Sequence, residues 1–358
     1  MFKMISVFTI SLALILCVSY CVCAQDDPQT TPIREFQPEA GSSSRYRIYD
    51  VDVSQDGRLI LIAISNTAKV WDMQNGVEMS LVEKHGRIIP SAAFSYDAKH
   101  FVTGDEYGWL TVYETQSGEK TFDVFVPPRD PHIGHPMPVG ILGVAFSPHG
   151  DKIAALRDFC LVVYDLTSKE EIVRVELGTT SDYVTFFSDG RRVFARASDS
   201  TAEPIGIVVD CSTGDVVRTF EGARATLVKS DKEVVTITGH LDSSRRYGTY
   251  VALRWDANTG ELKSTSPQFI SSGGGISFSP SGDMVFVREN KTVGKVVDLQ
   301  TGAPLRRFDP PGDGEIDMSC FSPEGNRLVT VSGDTAHVWD ISDLVTAVEN
   351  AELYDQKE

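Results

Sequence analysis

Val70-Trp71-Asp72-Met73-Gln74-Asn75-Gly76 is the stretch on which the reading of the fold depends. A run of strand-forming residues closes on an aromatic and an acidic side chain, then breaks into a turn at glycine. The same pattern returns as Val112-Tyr113-Glu114…Gly118, Val163-Tyr164-Asp165, Val209-Asp210…Gly214, Arg254-Trp255-Asp256…Gly260, Val297-Asp298…Gly302 and Val338-Trp339-Asp340. Its acidic position falls at residues 72, 114, 165, 210, 256, 298 and 340, at spacings of 42, 51, 45, 46, 42 and 42.

A second pattern alternates with the first. An apolar stretch ends in Ser and a Gly-containing turn at Val53-Ser54-Gln55-Asp56-Gly57, Phe146-Ser147-Pro148-His149-Gly150, Phe278-Ser279-Pro280-Ser281-Gly282 and Phe321-Ser322-Pro323-Glu324-Gly325. Phe94-Ser95-Tyr96-Asp97-Ala98 and Phe187-Ser188-Asp189-Gly190 are weaker copies. Short alternating runs between turns, repeated at about 42 residues, match one four-stranded blade per repeat. No segment between the copies carries sustained helical periodicity. The chain therefore resembles the WD-repeat family over most of its length. The resemblance rests on the period, since the Trp-Asp pair occurs only three times, at Trp71-Asp72, Trp255-Asp256 and Trp339-Asp340. The family's Gly-His element is mostly missing. The expected fold is all-β: a seven-bladed β-propeller of four-stranded antiparallel blades. The resemblance implies a platform for protein partners.

The two ends of the repeat predict how the ring closes. After Asp340 no outer strand follows, and Ser342 to Leu353 reads as a short acidic helix with Leu344, Val348 and Ala351 on one face. The missing strand is expected from Ile33-Arg34-Glu35-Phe36, which would latch the first blade to the last and cover a sheet edge.

Residues 1–24 stand apart from the repeat. Lys3 is their only charge, an apolar run spans Ile5 to Val22, and Val22-Cys23-Ala24 suits cleavage before Gln25, as in a secretory signal. The alternative is an uncleaved anchor, because Met4 to Ala24 is uncharged and long enough to cross a bilayer. Either way the remainder is expected outside the cytosol, secreted or periplasmic, or membrane-anchored with the propeller exported. The expected organisation is a signal peptide at 1–24, a propeller at 25–341 and an acidic helix or tail at 342–358.

Composition narrows the function. Over 358 residues, 33 Lys+Arg stand against 50 Asp+Glu, a net charge of −17. Such acidity argues against nucleic-acid binding, which draws on basic surface, and favours a protein partner with basic surface. A monomer is expected. Six cysteines are too few for a disulfide scaffold. Cys160 lies five residues before its blade's acidic marker and Cys211 one after the next. That offset is about 20 Å at ~3.3 Å per residue, beyond disulfide reach. With Cys320 on an inner strand, all three read as buried free thiols.

The repeat departs from itself in three insertions, at residues 127–140, 197–204 and 240–248. In an up-and-down blade all three fall on the face opposite the Ser and acidic turns, within the sector of blades 3 to 5. Long loops on a rigid scaffold are where binding residues collect. The partner-binding candidates are Arg129, His132 and His135 in the Pro-rich first insertion, and Asp242, Arg245, Arg246 and Tyr247 in the third. Arginine pairs bind carboxylate or phosphate bidentately. His132, His135 and Asp130 form a weak metal candidate, lacking an identifiable further ligand.

The sequence shows no Gly-x-Ser-x-Gly, no His-Glu-x-x-His, and no Cys-x-x-Cys after residue 24. Gly273-Gly274-Gly275 lacks the following Lys-Ser/Thr of a phosphate cradle. The leading expectation is an exported, non-catalytic interaction platform that needs no cofactor and binds through the long-loop face of blades 3 to 5. The alternative is a propeller enzyme, or a metal or small-ligand binder, with its site at the central channel mouth.

Overall fold

The computed structural model describes residues 31–37, 47–82, 87–128, 140–178, 181–198, 204–222, 224–227, 231–241, 248–272, 275–312 and 314–355. Seven antiparallel sheets form a ring of blades, six of them with their strands in chain order from the inside outward. Blade 3 is representative: Ile141–Phe146, Lys152–Arg157, Cys160–Asp165 and Glu170–Glu176. The other inner strands are Ile48–Val53, Ser91–Phe94, Val184–Phe186, Arg224–Leu227, Ser277–Phe278 and Ile316–Phe321.

Burial follows position within the blade. The second strand of blade 1, Leu59–Ile64, is a continuous apolar run and is buried at every residue, because neighbouring blades cover both its faces. The outer strand Leu262–Thr265 is exposed at every residue. The core thus lies in the seams between blades. Leu156, Leu161 and Val163 of blade 3 pack against Phe186, Val193 and Val209 of blade 4.

The ring closes as its ends predict. Blade 7 takes three strands from residues 316–340, and Arg34–Phe36 supplies the fourth, antiparallel to Thr335–Asp340 with Arg34 opposite Val338 and Phe36 opposite Ala336. Phe36 is buried and lies 5.6 Å from the Trp71 ring of blade 1. A helix spans Ser342–Asp355, and its Leu344 and Val348 pack on Phe308, Trp339 and Ile341. Blade 5 differs from the others: its third strand, Gly248–Asp256, pairs along one half with Leu262–Thr265 and along the other with Phe269–Ser271.

Three expectations need correction or refinement. Cys160 and Cys211 are buried and outside any disulfide, but Cys320 is only half-buried, because its inner strand faces the channel and not a seam. In blade 4 the Ser position of the turn is taken by Phe187, whose N–H bonds the Arg192 carbonyl as Ser147 bonds that of Lys152. The insertions at 197–204 and 240–248 are partly absorbed into longer strands, paired as far as Ser198 with Pro204 and Leu241 with Gly248.

Candidate interaction surface and central channel

The repeat-defining acids serve the fold. Asp72 Oδ1 accepts the N–H groups of Gln74 and Asn75 at 2.9 and 3.2 Å, while the Gly76 N–H bonds the Asp72 carbonyl at 2.8 Å. Asp165, Asp256 and Asp298 bond the second and third residues beyond them in the same way. Asp210 and Asp340 each accept from the N–H two residues on. Glu114, one carbon longer, instead accepts from the Ser117 hydroxyl. The backbone donors hold the carboxyls of Asp72, Asp165 and Asp256 below their ordinary value, Asp256 at about 2. The indole N–H groups of Trp255 and Trp339 each donate to a threonine hydroxyl on the neighbouring strand, Thr236 and Thr330, at 2.9 Å. These residues shape turns and strands.

The inner strands line a channel of about 850 Å³. One mouth is ringed by the residue after the Ser position: Gln55, Tyr96, Pro148, Ser188, Pro280 and Pro323, with Asp231 from the corresponding turn of blade 5. Deeper in the wall, Asp50 and Asp52 project from blade 1. Asp50 Oδ2 accepts the Ala92 N–H at 2.9 Å and Asp52 Oδ2 accepts the Phe94 N–H at 2.8 Å, both from the inner strand of blade 2. Desolvation raises the Asp50 carboxyl to about 7, with the Asp52 charge adding to the shift, and raises Asp52 to about 6. Burial, with the charges of Asp52 and Asp50, also pushes the Cys320 thiol well up, so it is no nucleophile at neutral pH.

A second feature lies on the opposite face, at the seam of blades 2 and 3. Asp105 is buried, and its Oδ1 accepts the N–H groups of Tyr107 and Trp109 at 2.9 and 2.8 Å, shaping a tight turn that holds both rings outward. Trp109 pairs across strands with Phe125, with ring centroids 5.6 Å apart. Tyr107, Trp109 and Phe125 are 45, 36 and 43% exposed. Arg87 stacks 4.4 Å over Tyr107 and lies 3.5 Å from Asp105. From blade 3, the buried Arg157 lies 5.1 Å over the Phe125 ring and donates to the Val126 carbonyl. Its guanidinium passes so close to Gly108 (φ 99°) that a Cβ there would collide with it.

This aromatic and arginine patch lies at the end of the blades where the described flanks of the three insertions leave their strands, since second hairpins and inter-blade links turn at the same end. Sequence reasoning missed it. Tyr107 and Trp109 stand near each other in the chain, but Phe125 joins them only through strand register and Arg157 only through the blade seam. The residues singled out from sequence, Arg129, Asp130, His132, His135, Asp242, Arg245, Arg246 and Tyr247, lie outside the described residues, as does the 1–24 segment. Among the described residues no group of three or more His, Cys, Asp or Glu is placed to hold a metal.

Residues 302–340 match the family model of the WD domain, G-beta repeat. A search of curated proteins found no match. Among solved structures, the chain is similar to the β-propeller domain of Myceliophteria thermophila Cps50 (Swd1), at 13% identity and a TM-score of 0.66 over 86% of this chain and all of that one. It is similar to a chain of a mitotic checkpoint complex, at 15% identity and TM-score 0.65 over 94% of this chain and 99% of that one. A chain of Kuenenia stuttgartiensis hydrazine synthase gives 12% identity and TM-score 0.66 over 86% of this chain and 99% of that one. At such identities the likeness speaks for the fold. Repeat and ring agree on the fold: the chain is a seven-bladed β-propeller, and the segment that completes its last blade matches the WD domain, G-beta repeat.

Proposed function

We propose that this protein is an exported, monomeric and non-catalytic interaction platform, and that its partner docks on the long-loop face with Tyr107, Trp109 and Phe125 as anchor. WD-repeat propellers are common protein-interaction scaffolds, and one of the similar structures is part of a multi-protein checkpoint complex. The observation that carries this reading is the patch itself. Three large rings are held outward by a buried aspartate and by two arginines, and rigid aromatic and arginine side chains dominate protein interfaces. The sequence expectation puts the insertions of blades 3 to 5 on the same face, where their polar residues suit a rim. A net charge of −17 favours a partner with basic surface, steered to the site at low salt.

Affinity capture from the extracellular or envelope fraction tests the reading, using wild type beside a Trp109→Ala/Phe125→Ala variant and an outer-strand control, Leu262→Ala. The patch variant is expected to lose the captured partner at least tenfold, about 1.4 kcal/mol or more, while its melting transition and the control's capture stay near wild type. Equal capture by all three proteins would sink the proposed face.

A further inference from the structure

The turn after a blade's acidic marker passes through the left-handed region at its fourth residue. In five blades that residue is glycine: Gly76, Gly118, Gly214, Gly260 and Gly302, at φ between 69° and 79°. Blade 7 runs into its helix at this point. Blade 3 alone puts a side chain there, Lys169 at φ 62°, where a Cβ is disfavoured. Lys169 is exposed, and its ammonium lies 5.9 Å over the ring of Phe122 from blade 2. Among the described residues it forms no ion pair.

Beside Lys169 the seam of blades 2 and 3 opens into a cleft of about 500 Å³, within the range of small-ligand pockets. It lies at the end of the blades that carries the serine and acidic turns, opposite the aromatic patch. Blade 2 contributes His100, Val112 and Phe122, and blade 3 contributes Leu166. Tyr96, 57% exposed, stands where the cleft meets the channel mouth. His100 faces blade 3 because it alternates along its strand with Phe101, which packs toward blade 1. Its ring has no hydrogen-bond partner among the described residues. The acids nearby are engaged: Asp97 by the Ser95 hydroxyl and Lys99, Glu114 by the Ser117 hydroxyl, and Asp151 by the Ser147 hydroxyl and Lys152.

The equivalent cleft of blades 5 and 6 has nearly the same volume, about 490 Å³, and the opposite chemistry. Arg254 stands where blade 2 has Val112, and Glu233 where blade 2 has His100. Glu233 and Asp283 each hold the Arg254 guanidinium at 2.7 Å, so its charge is neutralised inside the cleft. Lys169 has no such counter-ion, and a strained backbone that presents an unpaired charge to a cavity is the mark of a binding position.

We propose that the cleft between blades 2 and 3 binds a small amphipathic carboxylate, its anionic end held by Lys169 and His100 and its apolar body lying along Tyr96 and Phe122. The ammonium supplies the charge, and the imidazole has an N–H to donate in either protonation state. The aromatic rings offer flat apolar walls. The ligand's carboxylate takes the part that Glu233 and Asp283 play in the other cleft.

The probe is 2-naphthoate, titrated into the full chain at physiological salt, where charges beyond about 8 Å are screened. Methyl signals of Val112 and Leu166 are expected to shift saturably, with a Kd below about 1 mM, while those of Ala252 and Leu299 in the other cleft stay fixed. Neutral 2-naphthamide should bind at least about tenfold more weakly. Lys169→Gly supplies the glycine of the other blades, so it should raise the urea midpoint and yet lose naphthoate binding by about tenfold. Lys169→Arg should keep binding, His100→Ala should weaken it, and Lys99→Ala, outside the cleft, should leave it unchanged. Equal binding of naphthoate and naphthamide, or shifts that move alike in both clefts, overturns the site. A raised midpoint with unchanged binding in Lys169→Gly also overturns it, since Lys169 would then be a strained turn residue and nothing more.

Discussion

Ser54, Ser95, Ser147, Ser279 and Ser322 recur because each hydroxyl accepts the backbone N–H five residues on, at 2.8 to 3.0 Å, inside the turn that ends the inner strand. The glycine three residues after each serine recurs because the turn passes through the left-handed region, as at Gly57 (φ 66°) and Gly150 (φ 70°). Blade 2 breaks this rule: Ala98 adopts φ 55° at the same position. An L-residue with a Cβ is disfavoured there by roughly 1–2 kcal/mol, offset in part by the extra unfolded-state freedom of glycine. Ala98→Gly is therefore expected to stabilise the protein by about 0.5–1 kcal/mol, read as a higher urea midpoint with unchanged slope. A lower midpoint would mean that the turn gains something specific from the alanine.

At the scale of elements, the strand Arg34–Phe36 carries unusual weight for three residues. It hydrogen-bonds to the last strand of blade 7 and sends Phe36 into the cluster that joins blade 7 to blade 1, with Ile60, Trp71, Val329 and Val338. Phe36→Ala removes a buried ring and is expected to cost about 3 kcal/mol, with faster hydrogen exchange along Thr335–Asp340. An unchanged midpoint would show that the ring does not depend on this latch. The acidic turns and the serine turns were legible in the sequence as elements, since both are local chemistry within six residues of chain. The blade 2 and 3 patch was not. Its three rings, their buried Asp105 brace and the two arginines over them come from segments of the chain that meet only after the blades have stacked.

For the whole molecule, acid–base behaviour divides between the outside and the channel. The turn carboxyls of Asp72, Asp165 and Asp256 are lowered by backbone donors, so they contribute stability that is present above their unfolded value and is lost as pH falls through the folded one. Buried His337 also has a lowered value, set by desolvation and partly offset by Glu35 of the latch strand, so its contribution fades as pH falls below the ordinary histidine range. Asp50 and Asp52 run the other way. Raised to about 7 and 6, they favour the folded state while protonated, and that contribution is lost as pH rises through those values. The melting temperature is therefore expected to peak on the acid side of neutral, at about pH 5, and Asp50→Asn/Asp52→Asn should move the peak upward. A wild-type maximum above pH 7.5 would contradict this balance.

The sequence by itself determined the number of blades, the acidic turn of each blade and the segment that closes the ring, because each follows from a repeated local pattern or from the strand that the last repeat lacks. Tertiary structure alone decided the meeting of Asp50 and Asp52 with the inner strand of blade 2, the half-exposure of Cys320 and the gathering of Tyr107, Trp109 and Phe125. In a propeller the strands within a blade are neighbours in the chain, whereas a seam joins residues one repeat apart: Asp50 meets Ala92 across 42 positions. A period of that length reveals that the blades stack, but which side chains face one another across a seam, and what water they lose there, is set only when the ring has closed.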